Sequence, residues 1–325
     1  MLKKSIVPTC ITCGGSPKRY MQHEAVGLFW KCKCGLIFQD PQDFISEEEG
    51  LKAIAEGGTE TANDRFQSAF SESIDTSDAD GNMYSDHGID HAKMSAGICD
   101  AAVAAFENEG KRVEGQFSWL DIGCANGFLL GELKRRFPNA NLVGVEPSPV
   151  SAEKAKRMFG LDIHVGTMNT FQPTSETAFN FVTILGNLQL HENPFETVRK
   201  AAQLMKPGSL LVCQFKNPDC SARRLGRWAS YVPIIKRSSL TKQIFERGFA
   251  CMRYSGSKAV LAKAIERTGL RVKRVYSIAP RMLAWTDGSK AHAAGLKGKL
   301  WAVLDRLDQM MDQRAWIEFV CQKPE

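Results

Sequence analysis

The chain has 325 residues, 43% of them apolar and 24% charged, with a net charge of +6 and ten cysteines. That size suits one large domain with appendages, or two domains, and is long enough to bury a core. No run approaches the ~20 apolar residues of a membrane span, no apolar stretch follows the lysines of "MLKKSIVPTC", and a disulfide framework would need a secreted context that nothing supports; the expected compartment is the cytoplasm.

The front of the chain, residues 1–45, carries Cys10-x2-Cys13 and Cys32-x-Cys34. Four thiolates in two close pairs suit a closed tetrahedral zinc site, and a closed site leaves no position for substrate, so the metal expected there is structural. Gly14 and Gly35 follow the two pairs and fit tight turns. Free thiols in an apolar hairpin are the other reading. Residues 46–110 begin acidic and rich in Gly, Ser and Asp, as in "SIDTSDADG", and turn helical near "AKMSAGICDAAVAAFENEG".

From residue 111 short apolar runs alternate with amphipathic stretches. "FSWLDIG" (117–123) reads as a buried strand and "GFLLGELKRRF" (127–137) as a helix stopped by Pro138. "NLVGVE" (141–146) is a second strand, "PVSAEKAKRMFG" (149–160) a helix with a terminal glycine, and "LDIHVG" (161–166) a third strand. "FNFVTILG" (179–186) is a fourth strand, "PFETVRKAAQLMKPG" (194–208) a helix closed by Pro-Gly, and "SLLVCQF" (209–215) a fifth strand. "SKAVLAKAIERTGL" (257–270), "RVKRVYSI" (271–278) and "WIEFVCQK" (316–323) add a helix and two strands. Such alternation predicts an α/β fold, with a mostly parallel sheet covered by helices on both faces. "LKGKLWAVLDRLDQMM" (296–311) has apolar residues at helical spacing, which suits core packing or a dimer surface.

In an open α/β sheet, ligands bind beyond the carboxyl ends of the strands. The first strand runs into "DIGCANGF", where Gly123 and Gly127 lead straight into a helix. The dinucleotide fingerprint is not met, because Ala125 and Phe128 stand where its second and third glycines belong. Asp121 in the same turn repels a pyrophosphate and attracts a cation or an ammonium group. The second strand ends at Glu146, where a carboxylate accepts the hydrogen bonds of a ribose diol. Together these describe a nucleoside with a cationic or zwitterionic tail and no phosphate, and S-adenosylmethionine is such a ligand.

"WLDIGCANGFLL", "LVGVEPSP" and "FNFVTILGNLQLHENPFETVRKAAQLMKPGSLLVCQFKNP" resemble the class I S-adenosylmethionine-dependent methyltransferases. The resemblance implies a Rossmann-like, seven-stranded sheet with its last strand antiparallel. It implies that Asp121, Gly123, Ala125, Gly127 and Phe128 wrap the methionine part and that Glu146 holds the ribose. Pro147, Thr167, Met168 and Asn169 would lie by the adenine, and Leu185, Gly186 and Asn187 beside the sulfonium. Three departures stand out: Ala125 replaces the middle glycine, Met168 and Asn169 stand where an acidic residue is common, and His191 is displaced by one position from the family's usual histidine. The cysteine layout is similar to the small four-cysteine zinc ribbons that precede some of these enzymes, with the second pair one residue short.

The implied organisation is a zinc-ribbon-like segment (1–45), an acidic linker and helical lid (46–110), and a methyltransferase domain (111–325) with a basic substrate-recognition insertion at about 221–256. The resemblance makes His191 a candidate base. It places Tyr84, His87 and His91 in a lid, and with the basic stretch it makes Tyr84, His87, Arg223, Arg224 and Arg227 candidate substrate residues. Residues 221–300 hold eighteen Lys and Arg against three acidic residues, which favours an anionic acceptor such as a glycan precursor or nucleotide-linked metabolite. Methylation of RNA, contact with a membrane surface, and a regulatory protein that binds the cofactor without turnover stay open, as does the oligomeric state.

Overall fold

The structure is a computed structural model that describes residues 7–23, 27–43, 91–173, 178–221, 224–225, 253–278, 303 and 305–325. Tyr84, His87, Arg223 and Arg227 lie outside the described residues. So do most of the acidic segment and most of the basic insertion.

The larger of two sheets has seven strands. In chain order they are β4 (Ser118–Ile122), β5 (Asn141–Glu146), β6 (Asp162–Val165), β7 (Phe179–Ile184), β8 (Met205–Lys216), β10 (Arg271–Ile278) and β11 (Trp316–Gln322). Their spatial order is β10-β11-β8-β7-β4-β5-β6. Strands β4 to β8 pair in parallel, whereas β11 runs antiparallel to both its neighbours. The mostly parallel sheet with one antiparallel strand is the one expected.

Both faces of this sheet are apolar, as a sheet sandwiched by helices requires. On β4, Leu120 and Ile122 join one core cluster and Trp119 the other; on β8, Leu211, Cys213 and Phe215 alternate in the same way with Leu210 and Val212. Helices α1 (His91–Glu107), α2 (Phe128–Arg136) and α3 (Pro149–Phe159) cover one face, through Ala102, Phe106, Leu130, Leu133 and Ala155. Helices α4 (Pro194–Gln203) and α5 (Lys258–Glu266) cover the other, through Val198, Ala201, Leu261 and Ile265. Ser148, Asn193 and Ser257 cap α3, α4 and α5, each accepting a backbone N–H three residues on.

Two expectations change. The Lys-Pro-Gly at 206–208 does not close the helix before it: α4 stops at Gln203, and β8 takes in all three residues. The ladder is irregular there, with Gly208 at φ 73 and the pairing with β7 shifted between Phe179 and Phe181. A proline without an N–H is tolerated at such an irregularity. Of the helix expected at 296–311, residues 303 and 305–310 are helical among the described residues, and the apolar residues described there are not core. Val303, Leu307 and Met311 are 54%, 46% and 52% exposed, while Asp308 is buried and accepts from Ser221 N and Oγ. Among the described residues of this segment, it is Asp308 that turns inward.

The smaller sheet has the order β1-β2-β3-β9, formed by β1 (Lys18–His23), β2 (Gly27–Lys31), β3 (Ile37–Gln39) and the distant β9 (Tyr254–Ser255). Leu28, Trp30, Leu36 and Phe38 are buried in the same cluster as Phe195, Phe215 and Leu261. The cysteine-bearing segment therefore shares its core with the larger sheet.

Candidate functional site

β4 ends at Ile122 and α2 begins at Phe128, so residues 123–127 form the turn at the carboxyl edge of the sheet. Gly123, Ala125 and Gly127 have φ of 73, 48 and 75, the left-handed region in which glycine is free of strain. At Gly127 a Cβ would lie 2.8 Å from Ala155 Cβ and from Leu161. Ala125 bears the strain of a left-handed residue, and its amide N–H donates to Glu146 Oε2 at 2.9 Å.

Glu146 closes β5 and is 4% exposed. Its Oε1 accepts from Ser148 N at 2.9 Å, so two backbone amides hold one carboxylate. Asp121 is nearly as buried, and its Oδ1 accepts from the Thr183 hydroxyl at 2.7 Å. Thr183 in turn accepts from Trp119 Nε1 at 3.0 Å. Burial pushes both carboxyls up to about 7, and Asp121 adds to the shift at Glu146. Two carboxylates thus flank the turn with their charge disfavoured by burial, and a ligand that brings donors or positive charge favours their ionised form.

After β7, Leu185, Gly186 and Asn187 lead into the short helix Leu188–Leu190. Asn187 Nδ2 donates to Ile122 O at 3.0 Å and to Gly123 O at 3.2 Å, which ties this loop to the turn. His191 has both ring nitrogens engaged: Nε2 with Asn187 Oδ1 at 3.3 Å and Nδ1 with Thr197 Oγ1 at 3.1 Å. Burial, aided by the Arg253 charge, lowers its pKa to about 4. A neutral histidine engaged at both nitrogens is a weak base, and one of its two contacts is to Asn187.

Met168 is buried on the loop after β6, while Asn169 is exposed and its Oδ1 accepts from Lys200. Pro147 and Thr167 are half-buried. Arg224 is exposed, on a short helical turn beyond β8. Thr183 and Trp119 were not singled out from the sequence as site residues. Thr183 was visible as the one hydroxyl inside the apolar run "FNFVTIL", and a buried hydroxyl needs a partner.

The four front cysteines converge. One Sγ from each of Cys10, Cys13, Cys32 and Cys34 lies within 4.8 Å of the other three. Cys10 to Cys34 is 3.7 Å and Cys13 to Cys32 is 3.4 Å. A tetrahedral site with Zn–S bonds of about 2.3 Å has sulfurs about 3.8 Å apart, so the donor set fits zinc. Two similar turns present the thiols: Gly14 N donates to Cys10 O and Gly35 N to Cys32 O. A side chain at Gly15 would crowd the cluster, since its Cβ would lie 3.3 Å from Cys13 Sγ. The short Cys32-x-Cys34 spacing does not keep either thiol out of the cluster.

A mostly parallel, seven-stranded sheet with one antiparallel strand and helices on both faces is a Rossmann-like fold. The methyltransferase-domain family matches residues 89–272, and the chain belongs to it. It is an S-adenosylmethionine-dependent methyltransferase. Solved structures share the fold at low identity. The plantazolicin methyltransferase BamL, in complex with a triazolic desmethylPZN analog and SAH, is 13% identical, covers 86% of this chain and 100% of its own, with a TM-score of 0.51. A methyltransferase in complex with the Haloferax volcanii Trm112 methyltransferase activator is 17% identical, covers 73% and 99%, with a TM-score of 0.50.

Proposed function

We propose that the sheet edge formed by the 123–127 turn, Glu146 and Asn187 holds S-adenosylmethionine, and that the enzyme methylates a small anionic acceptor. The observation that carries the cofactor reading is Glu146, buried at the end of β5 and held by the amide N–H of Ala125 from the turn itself. Each carboxylate oxygen accepts one backbone N–H and retains a lone pair for a ribose hydroxyl. Asp121 offers negative charge to the ammonium end. The left-handed turn lets backbone approach the methionine chain, Pro147 and Met168 give an apolar wall for adenine, and Leu185 to Asn187 line the sulfonium side.

The bound cofactor supplies a methyl group on a sulfonium, and positioning is then the main task of the protein. Asn187, braced by His191, fixes the distance between the β7 loop and the turn. His191 is poorly suited to remove a proton from the acceptor. The acceptor reading rests on the positive balance of residues 221–300 and on the place of the 221–256 stretch in the sequence, directly after β8. Arg223, Arg224 and Arg227 are its proposed anion contacts, with Tyr84 and His87 on the lid side.

We further read Cys10, Cys13, Cys32 and Cys34 as ligands of one structural Zn2+. Four thiolates close the coordination shell, so the metal holds the front segment and takes no part in methyl transfer. The expected division into a ribbon (1–45), a linker with lid (46–110) and a methyltransferase domain (111–325) goes with this reading, with the exception that α1, counted in the lid segment, packs on the sheet through Ala102 and Phe106 and so goes with the methyltransferase domain.

The test is transfer of a labelled methyl group from S-adenosylmethionine into a metabolite extract and into RNA. Label in small anionic compounds supports the reading. Label in RNA overturns the acceptor class, and binding of the cofactor without transfer to any fraction favours a regulatory role.

A further inference from the structure

A two-residue strand joins the cysteine cluster to the proposed cofactor edge of the sheet. β9 pairs antiparallel with β3, Phe38 opposite Tyr254 and Ile37 opposite Ser255, and Gln39 N donates to Arg253 O at 2.8 Å. The same segment also bonds the loop after β7. Arg253 N donates to Gln189 O at 3.2 Å, and the Tyr254 hydroxyl donates to Glu192 O at 2.6 Å. Tyr254 is 4% exposed, stacked on Phe38 at 6.4 Å and edge-on to Phe195 at the same separation. Arg253 and Tyr254 are therefore gripped by the cysteine-bearing sheet and by residues 189–192 at once.

The contacts continue in both directions. Toward that edge, His191 holds Asn187, and Asn187 holds the carbonyls of Ile122 and Gly123. Toward the cluster, the Arg267 side chain donates to Thr12 O, between Cys10 and Cys13. Gly35, just past Cys34, sits so close under Val260 that a Cβ would lie 2.6 Å from its methyl group. The chain from cluster to cofactor turn is unbroken and made of buried packing and hydrogen bonds.

We propose that Tyr254 is a positioning residue through which the metal-bound cysteine cluster orders the 187–192 loop, so that metal binding and nucleoside binding strengthen each other. This rests on the zinc and cofactor readings above, so binding of S-adenosylhomocysteine to wild type is established by calorimetry before zinc release is read. A protein that binds no nucleoside overturns the cofactor reading together with the inference. A cross-linked front hairpin presents β3 as a fixed edge, and β9 needs that edge to hold Glu192 in place. Coupling of this kind is reciprocal: whatever the metal adds to nucleoside affinity, the nucleoside adds to metal retention.

The test uses the full-length protein. Zinc content is measured first, then zinc release to a chromogenic chelator with and without saturating S-adenosylhomocysteine, in wild type and in Tyr254→Phe. The variant keeps the ring between Phe38 and Phe195 and removes the donor to Glu192 O. The expected result is release slowed about three- to tenfold by the nucleoside in wild type, the worth of roughly one hydrogen bond, and little slowed in Tyr254→Phe at unchanged zinc content. Release that ignores the nucleoside in wild type, or a variant as coupled as wild type, overturns the inference and leaves the zinc reading intact. A protein that holds no zinc overturns both.

Discussion

Gly123 offers the sharpest stability test of the turn. In Gly123→Ala the new Cβ falls 1.8 Å from Asn187 Nδ2, at a residue with φ 73. Left-handed backbone costs a residue bearing Cβ about 1–2 kcal/mol. The amide of Asn187 must also leave, which breaks its bonds to Ile122 O and Gly123 O at about 0.5–1.5 kcal/mol each. The sum is about 2–5 kcal/mol, a large share of the ~5–15 kcal/mol that holds a domain together. Gly186→Ala is the control, since Gly186 has φ 79 but no atom within 4 Å of its Cβ position. It should lose the backbone part alone, about 1–2 kcal/mol. Urea unfolding of wild type and both variants, at equal slope, measures the difference. Equal losses in the two variants would refute the claim that Asn187 braces the turn.

The carboxyls of Asp121 and Glu146 stand at about 7 in the folded chain, raised by burial from ordinary values near 4. Their contribution to stability is therefore full below about pH 4 and fades as pH climbs through 7. A ligand that binds the ionised carboxylates should bind more tightly as pH rises from 6 to 8; calorimetry of S-adenosylhomocysteine that finds flat affinity over this range contradicts the assignment. His191→Gln should keep turnover within about tenfold of wild type, because removal of a general base commonly costs ~10²–10⁴-fold; a loss of that size would restore His191 as the base. Chelation of zinc should lower the thermal midpoint, and readdition should recover it. Elemental analysis that finds no zinc per chain would oppose the four-cysteine zinc reading.

Much of the fold, and the residues that stand at its carboxyl edge, were legible in the chain. The period of strands and helices from 117 to 216 led to the parallel sheet, and the two strand ends at Asp121 and Glu146 pointed to a nucleoside with a cationic tail. Local pattern was enough because parallel strands buried on both faces announce themselves as unbroken apolar runs. Long-range pairing was not legible. Nothing in "RYSG" (253–256) announces a strand that pairs with β3 more than two hundred residues earlier, since a two-residue strand has no period to read. His191 looked like a base because its place in the chain is on the active edge; its contacts with Thr197 and Asn187 depend on how the loop folds back. At 305–310 the sequence leaves core packing and a dimer surface both open, because apolar spacing marks a face and burial is decided by what packs on it.

The central claim is that Glu146 holds the ribose of S-adenosylmethionine. Titration of S-adenosylhomocysteine into wild type and Glu146→Ala at pH 8 tests it most directly. Loss of the hydrogen bonds to an ionised acceptor, at about 1.5–3 kcal/mol each, predicts affinity at least about tenfold weaker in the variant, with the folded state confirmed by its unfolding transition. A folded variant that binds as tightly as wild type would contradict the claim.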